Sequence, residues 1–179
     1  MKLKEIIKVL EKAYCGNIGV EYMHLLDTTE IGFFSEKFEK SWVNYKLEKE
    51  GVTRVYTHVA KAVMFEEFLK NKFTTLKRFG LEGLETVITG LEAYVDKSVE
   101  LGVKDITLGM PHRGRLNVLA NVFKKSVSKI IGEIQGKQTN EALRDQNLFS
   151  GDVKYHLGTY NEREYPDGNR VFMVLLIFY

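Results

Sequence analysis

Apolar positions recur along this chain with two different periods. Leu3, Ile6, Ile7, Leu10, Ala13 and Tyr14 follow the i, i+3, i+4, i+7 spacing of one helical face. They predict an amphipathic helix over residues 3–14, stopped at Gly16. Asp27 with Glu30 three positions on has the form of a capping box and predicts a helix that runs to about Leu47. Residues 59–73 predict another helix, with Val63, Phe65, Phe68, Leu69 and Phe73 toward a core. A longer one is predicted over 82–101, closed by Gly102, and shorter ones over 115–124 and 127–134. Residues 105–108 are the first stretch that reads as a strand.

The second half changes character. Residues 136–150 are polar, lack periodicity and read as a loop. Residues 153–157 are a strand candidate. Pro166-Asp167-Gly168-Asn169 is a turn signal. The continuously apolar, β-branched and aromatic run 171–179 reads as a buried strand. Helices first and strands later predict an α/β chain: a helical N-terminal region over 1–103, then the start of an α/β domain over 104–179.

Composition narrows the classes. Of the 179 residues 44% are hydrophobic and 11 are Phe, enough for a packed core. A net charge of +2 points to no nucleic-acid partner. A single cysteine, Cys15, excludes an internal disulfide and a cysteine-based zinc site, and suits a reducing compartment. No apolar run is long enough to predict a membrane span, and the first residues read neither as a signal nor as a transit sequence.

The densest chemistry lies in Gly109-Met110-Pro111-His112-Arg113-Gly114-Arg115-Leu116-Asn117. Here a strand ends and a helix begins, the place where open α/β sheets bind ligands. Cations favour helix C-termini, so His112, Arg113 and Arg115 at a helix start suit an anion better than a bare solvated surface. A second polar cluster, Gly151-Asp152-Val153-Lys154-Tyr155-His156-Leu157-Gly158, follows about forty residues on.

These two clusters join two others: Tyr14-Cys15-Gly16-Asn17-Ile18-Gly19-Val20-Glu21-Tyr22-Met23-His24 and Lys77-Arg78-Phe79-Gly80-Leu81-Glu82-Gly83. In order and spacing the blocks resemble the E1 component of the 2-oxoglutarate dehydrogenase complex, a thiamine-diphosphate-dependent enzyme. The resemblance runs from Met1 to about Gly168. It implies a helical region ahead of a thiamine-diphosphate-binding α/β domain, incomplete here. The implied activity is oxidative decarboxylation of 2-oxoglutarate in the tricarboxylic acid cycle, with succinyl transfer to the lipoyl group of the E2 partner.

The resemblance also assigns residues. Arg113 contacts thiamine diphosphate, His112 and His156 are catalytic, and Phe79 lines the substrate pocket. Arg115 supports its own loop. The reaction builds negative charge on the 2-oxo group, and the substrate carries a carboxylate at each end. Imidazoles can donate to those oxygens or move a proton. Tyr160, four positions after His156, stands where some family members have Ser near the substrate. Without the resemblance His156 and Phe79 would read as structural. His24 reads as docking the first helix, His58 as a surface residue, and Phe33, Phe34, Phe38, Trp42 and Tyr45 as a packing face.

No metal ligand is assigned in this chain. The family's Mg²⁺ ligands, and the glutamate that activates the cofactor, align beyond its last residue. The chain therefore reads as a truncated member, inactive by itself. Three functions stay open: part of the E1 enzyme, a non-catalytic remnant of it, or part of the related 2-oxoadipate dehydrogenase E1. The implied partners are dihydrolipoyl succinyltransferase (E2), dihydrolipoyl dehydrogenase (E3) and a second E1 copy. The implied compartment is the bacterial cytoplasm or the mitochondrial matrix.

Overall fold

The computed structural model of the chain describes residues 2–135 and 158–176, apart from the side chain of residue 43. Helices α1 (Leu3–Tyr14), α2 (Thr28–Glu36), α3 (Lys49–Lys72) and α4 (Thr86–Glu100) precede strand β1 (Asp105–Gly109). Helices α5 (Arg115–Asn121) and α6 (Val127–Ile134) and strands β2 (Thr159–Glu164) and β3 (Arg170–Leu176) follow. The architecture is α/β, with helices and a small mixed sheet. Contacts group residues 1–51 into one compact unit and those from 52 onward into another. Helices α3 and α4 share one apolar cluster with the strands.

In the first unit α1 forms where its spacing predicts. Its apolar face stays open, however, with Leu3 72% and Ile7 45% exposed. Asp27 caps α2 by accepting the Thr29 N–H at 2.7 Å. The predicted single helix to Leu47 instead ends as α2 at Glu36. It continues as a π-helical turn (Lys37–Ser41) and a 3₁₀ turn (Trp42–Asn44). The wider turn spaces Phe38 and Trp42 so that their rings meet at 6.1 Å, and Trp42 then stacks on Tyr45 at 6.0 Å. Tyr22 is the buried member of its block, stacked on Phe34 and bonded through its hydroxyl to Tyr14 and Ser35. His24, expected to dock the first helix, is exposed.

The second unit holds the core. Helix α3 starts ten residues before its predicted start at 59. It buries Ala62, Phe65 and Leu69, whereas Val63 and Phe68, expected in the core, are each 42% exposed. Helix α4 buries Ile88, Glu92, Val95 and Val99 and ends at Gly102, whose φ of +86° only glycine adopts easily. The strand order is β1-β3-β2, with β1 parallel and β2 antiparallel to β3. The Pro166–Asn169 turn, with Gly168 at φ +82°, makes the β2–β3 hairpin.

Central strand β3 alternates: Val171, Met173 and Leu175 are buried, while Phe172 is 42% exposed. It is thus buried on one face and not on both. Strand β2 was not predicted, because its Thr-Tyr-Asn-Glu-Arg-Glu sequence lacks apolar alternation. The strand candidate at 153–157, the loop at 136–150 and the last three residues lie outside the described residues.

Candidate functional site

Two loops of the second unit meet where β1 ends. After Gly109 the Met110 N–H donates to the Leu176 carbonyl at 3.2 Å, which keeps β1 and β3 paired to their last residues. The chain then turns through residues 111–114 into α5. The Arg115 N–H closes this turn on the His112 carbonyl at 3.1 Å. Gly114 makes the turn possible with a left-handed φ of +73°. A Cβ at this position would also collide with Leu81 Cδ2.

Arg115 is fully buried, and its Nη1 donates to the Met110 and Leu176 carbonyls at 3.0 and 3.1 Å. The guanidinium thus ties together the ends of both parallel strands. Loss of water around it lowers its pKa to about 10, which leaves it charged at neutral pH. The expected supporting role of Arg115 matches this placement.

The second loop, residues 79–83, carries Phe79 at φ +46°, an uncommon conformation for a residue with a side chain. Its carbonyl accepts the Gly114 N–H at 2.6 Å. Two residues on, the Leu81 N–H points between both carboxylate oxygens of Glu66, 2.9 Å from each. Glu66 also accepts from Asn117 Nδ2 at 2.8 Å, and Asn117 in turn donates to the Ala62 carbonyl at 3.0 Å. The loop is thereby fastened to α3 and to α5.

This fastening brings three of the sequence-predicted residues together. The Phe79 and His112 rings lie 4.4 Å apart, tilted by 44°. The Arg113 guanidinium sits 5.8 Å from the Phe79 ring centre, and its Nη1 reaches the Gly80 carbonyl at 3.4 Å. His112 and Arg113 are exposed and Phe79 is half-buried. Among the described residues no carboxylate pairs with Arg113. The fourth residue, His156, lies outside the described residues. Tyr160 stands on β2, 54% exposed, against Phe172.

The donor set fits an anionic ligand with an aromatic part. Arg113 offers a planar cationic fork not neutralised by a described carboxylate, and Phe79 and His112 offer ring faces beside it. Glycines at 80 and 114 let the two loops close on Glu66 and Leu81, which a Cβ at either position would meet. No group of three or more His, Cys, Asp or Glu that could hold a metal ion occurs among the described residues. Among those residues no helix is long and apolar enough to cross a membrane.

Sequence reading missed the supports of this site, Glu66 and Asn117, and a second buried cluster. Glu92, only 7% exposed, pairs with Arg163 at 2.9 Å and with Lys124 at 3.1 Å. Arg163 also donates to the Val122 carbonyl at 2.6 Å. Burial opposes the Arg163 charge, but its hydrogen bonds with Glu92 and Tyr165 outweigh that and hold its pKa above the usual value.

No family model matches the chain. Over 176 residues it is 44% identical to the Saccharomyces cerevisiae protein named 2-oxoglutarate dehydrogenase, mitochondrial, covering 98% of this chain and 17% of that protein. It is 41% identical to the Dictyostelium discoideum protein of the same name over 174 residues, 97% of this chain and 17% of the relative. It is 40% identical to the Brucella ovis 2-oxoglutarate dehydrogenase E1 component over 171 residues, 96% of this chain and 17% of the relative. The chain spans about a sixth of the length of these relatives.

Proposed function

We propose that this chain, related over nearly its whole length to 2-oxoglutarate dehydrogenase E1 components, forms part of the thiamine-diphosphate site of such an enzyme. The reaction is oxidative decarboxylation of 2-oxoglutarate with succinyl transfer to a lipoyl group on E2. Residues 104–179 then open the cofactor-binding α/β domain, following the helical region of 1–103. The partners are E2, E3 and a second E1 copy, and the compartment is the mitochondrial matrix or the bacterial cytoplasm.

Thiamine diphosphate supplies the electron sink for loss of CO2 when it is bound. Mg²⁺ would accompany its diphosphate, and no described residue is assigned to hold it. Arg113 pairs with the diphosphate, and its planar fork matches two oxygens at once. His112 donates to substrate oxygens where charge develops, with His156 in the same role. Phe79 walls the pocket beside His112 and excludes water from that side.

The observation that supports this reading most is the meeting of Phe79, His112 and Arg113. They come from two matched blocks of sequence and converge on one surface with the cation unpaired by any described carboxylate. The test is a titration of thiamine diphosphate, with Mg²⁺ present, into the complete polypeptide that carries these residues. Saturable binding and cofactor-dependent decarboxylation of 2-oxoglutarate are expected. Absence of binding overturns the cofactor, and a marked preference for 2-oxoadipate overturns the substrate.

A further inference from the structure

Glu66 lies on α3, outside the blocks that carry the resemblance, yet it touches both halves of the site. Its two oxygens receive the Leu81 N–H at 2.9 Å, and Oε1 also receives Asn117 Nδ2 at 2.8 Å. The first bond holds the loop two residues after Phe79. The second holds the first turns of α5, directly after His112 and Arg113. The approach is so close that a Cβ at Gly80 would stand 2.5 Å from Glu66 Oε2. A larger residue at position 80 would have to push this carboxylate aside.

Phe79 needs such a restraint. A side chain at φ +46° is strained and persists only where its surroundings enforce it. Among the described residues two bonds do so: Gly114 N–H on the Phe79 carbonyl and Leu81 N–H on Glu66. The first joins the loop to the His112–Arg113 turn, and the second joins it to α3.

We propose that Glu66 is a positioning residue: by bonding Leu81 and Asn117 together it holds Phe79 against His112 and sets Arg113 beside them. This rests on the functional reading above for its purpose, but its geometry is testable without cofactor. The chain has 4 His. Histidine-labelled protein therefore gives few imidazole signals, and His112→Gln identifies the one of interest. In the wild-type chain that signal carries the ring-current displacement of Phe79, which Phe79→Leu removes.

Glu66→Ala is expected to move the His112 signal to its Phe79→Leu position while the melt stays cooperative. Glu66→Gln keeps the volume and one acceptor oxygen, and should move it part of the way. Glu92→Gln serves as the control: it weakens a buried cluster elsewhere in the same unit and should leave the signal in place. An unchanged His112 signal in Glu66→Ala overturns the proposal. Where that variant does not fold, an unchanged signal in Glu66→Gln overturns it. In the complete polypeptide, Glu66→Gln should also weaken thiamine-diphosphate affinity about tenfold, the scale seen when partners behind a binding group are removed. Failure of the wild-type polypeptide to bind the cofactor overturns the functional reading alone, since the His112 signal still decides the role of Glu66.

Discussion

Arg115 donates to the carbonyl of Leu176 at 3.1 Å, across a separation of 61 residues. Strands β1 and β3 run parallel and end together, and each leaves a carbonyl at its C-terminal edge. One buried guanidinium answers both. A guanidinium is suited to this because it brings several donors in a rigid plane to both acceptors at once.

Arg115→Ala should destabilise the chain by about 1–3 kcal/mol, since the Met110 carbonyl loses its guanidinium donor and the Leu176 carbonyl keeps only the Met110 N–H. Arg115→Lys should recover only part, because a single ammonium cannot span both with the same geometry. Urea unfolding at neutral pH checks this. An alanine variant with an unchanged midpoint would show that the strand ends have another donor.

Gly114→Ala should cost at least about 2 kcal/mol, through the strained φ of +73° and the collision with Leu81. Trimming Leu81 to Ala in the same chain relieves only the collision, so the double variant should stay below the Leu81→Ala single. A double variant as stable as Leu81→Ala would show that the backbone has shifted out of the left-handed region. The measurement is again the denaturation midpoint.

Glu92 and Arg163 should behave as a coupled pair. Glu92 is buried and the Arg163 side chain is 14% exposed, so truncating either weakens a largely desolvated pair and should cost about 1–3 kcal/mol. The double-mutant cycle with alanine should then return a coupling of about 1–3 kcal/mol. Strictly additive losses would mean that Lys124 and Asp96 replace the missing partner.

His58 gives stability a pH dependence of known sign. Burial holds its pKa below the ordinary 6.5, against the pull of Glu92. Its Nδ1 is buried and has no hydrogen-bond partner among the described residues. Below pH 6.5 the unfolded chain takes up a proton at this site before the folded chain does. The stability this neutral imidazole contributes is complete above 6.5 and is lost as pH falls through the depressed folded value. The melting temperature should fall on acidification through that window, before the carboxylates titrate. His58→Gln should flatten that part of the profile. An equal fall in the variant would assign it to another group.

In the complete polypeptide, Arg113→Ala should raise the thiamine-diphosphate concentration for half-maximal rate about tenfold or more and change the saturated rate little. An ionic contact to the diphosphate is made equally in ground and transition states, and such a contact is worth roughly 1.5–3 kcal/mol. His112→Ala and His156→Ala should instead lower kcat by on the order of 10²-fold at saturating cofactor, as loss of a donor to developing charge does. Initial rates against cofactor concentration for the three variants separate these outcomes.

Local pattern determined much of this chain. The face of α1, the Asp27 cap, the Gly102 stop, the Pro166–Asn169 turn and the starts of β1 and α5 are all written in residues a few positions apart. Helix periodicity, capping and turn chemistry act over that range, so a linear reading finds them. The block around His112 was legible as a candidate site for the same reason, whereas Phe79 entered it only through the family resemblance. What the residues alone left ambiguous was whether Arg115 faced a ligand or the interior, and the interior won.

The tertiary structure decided what depends on distant partners. Strand β2 is a strand only because β3 lies beside it, since its polar sequence has no period of its own. Glu66 and Glu92 are the clearest case. Ala62, Glu66 and Leu69 on α3, and Ile88, Glu92, Val95 and Val99 on α4, each follow helical spacing with one carboxylate inside an apolar stripe. That interruption was visible in the sequence. Its meaning was not, because a carboxylate in such a stripe is stable only where donors from elsewhere meet it. Those donors are Leu81, Asn117, Arg163 and Lys124, which only the folded chain brings within reach.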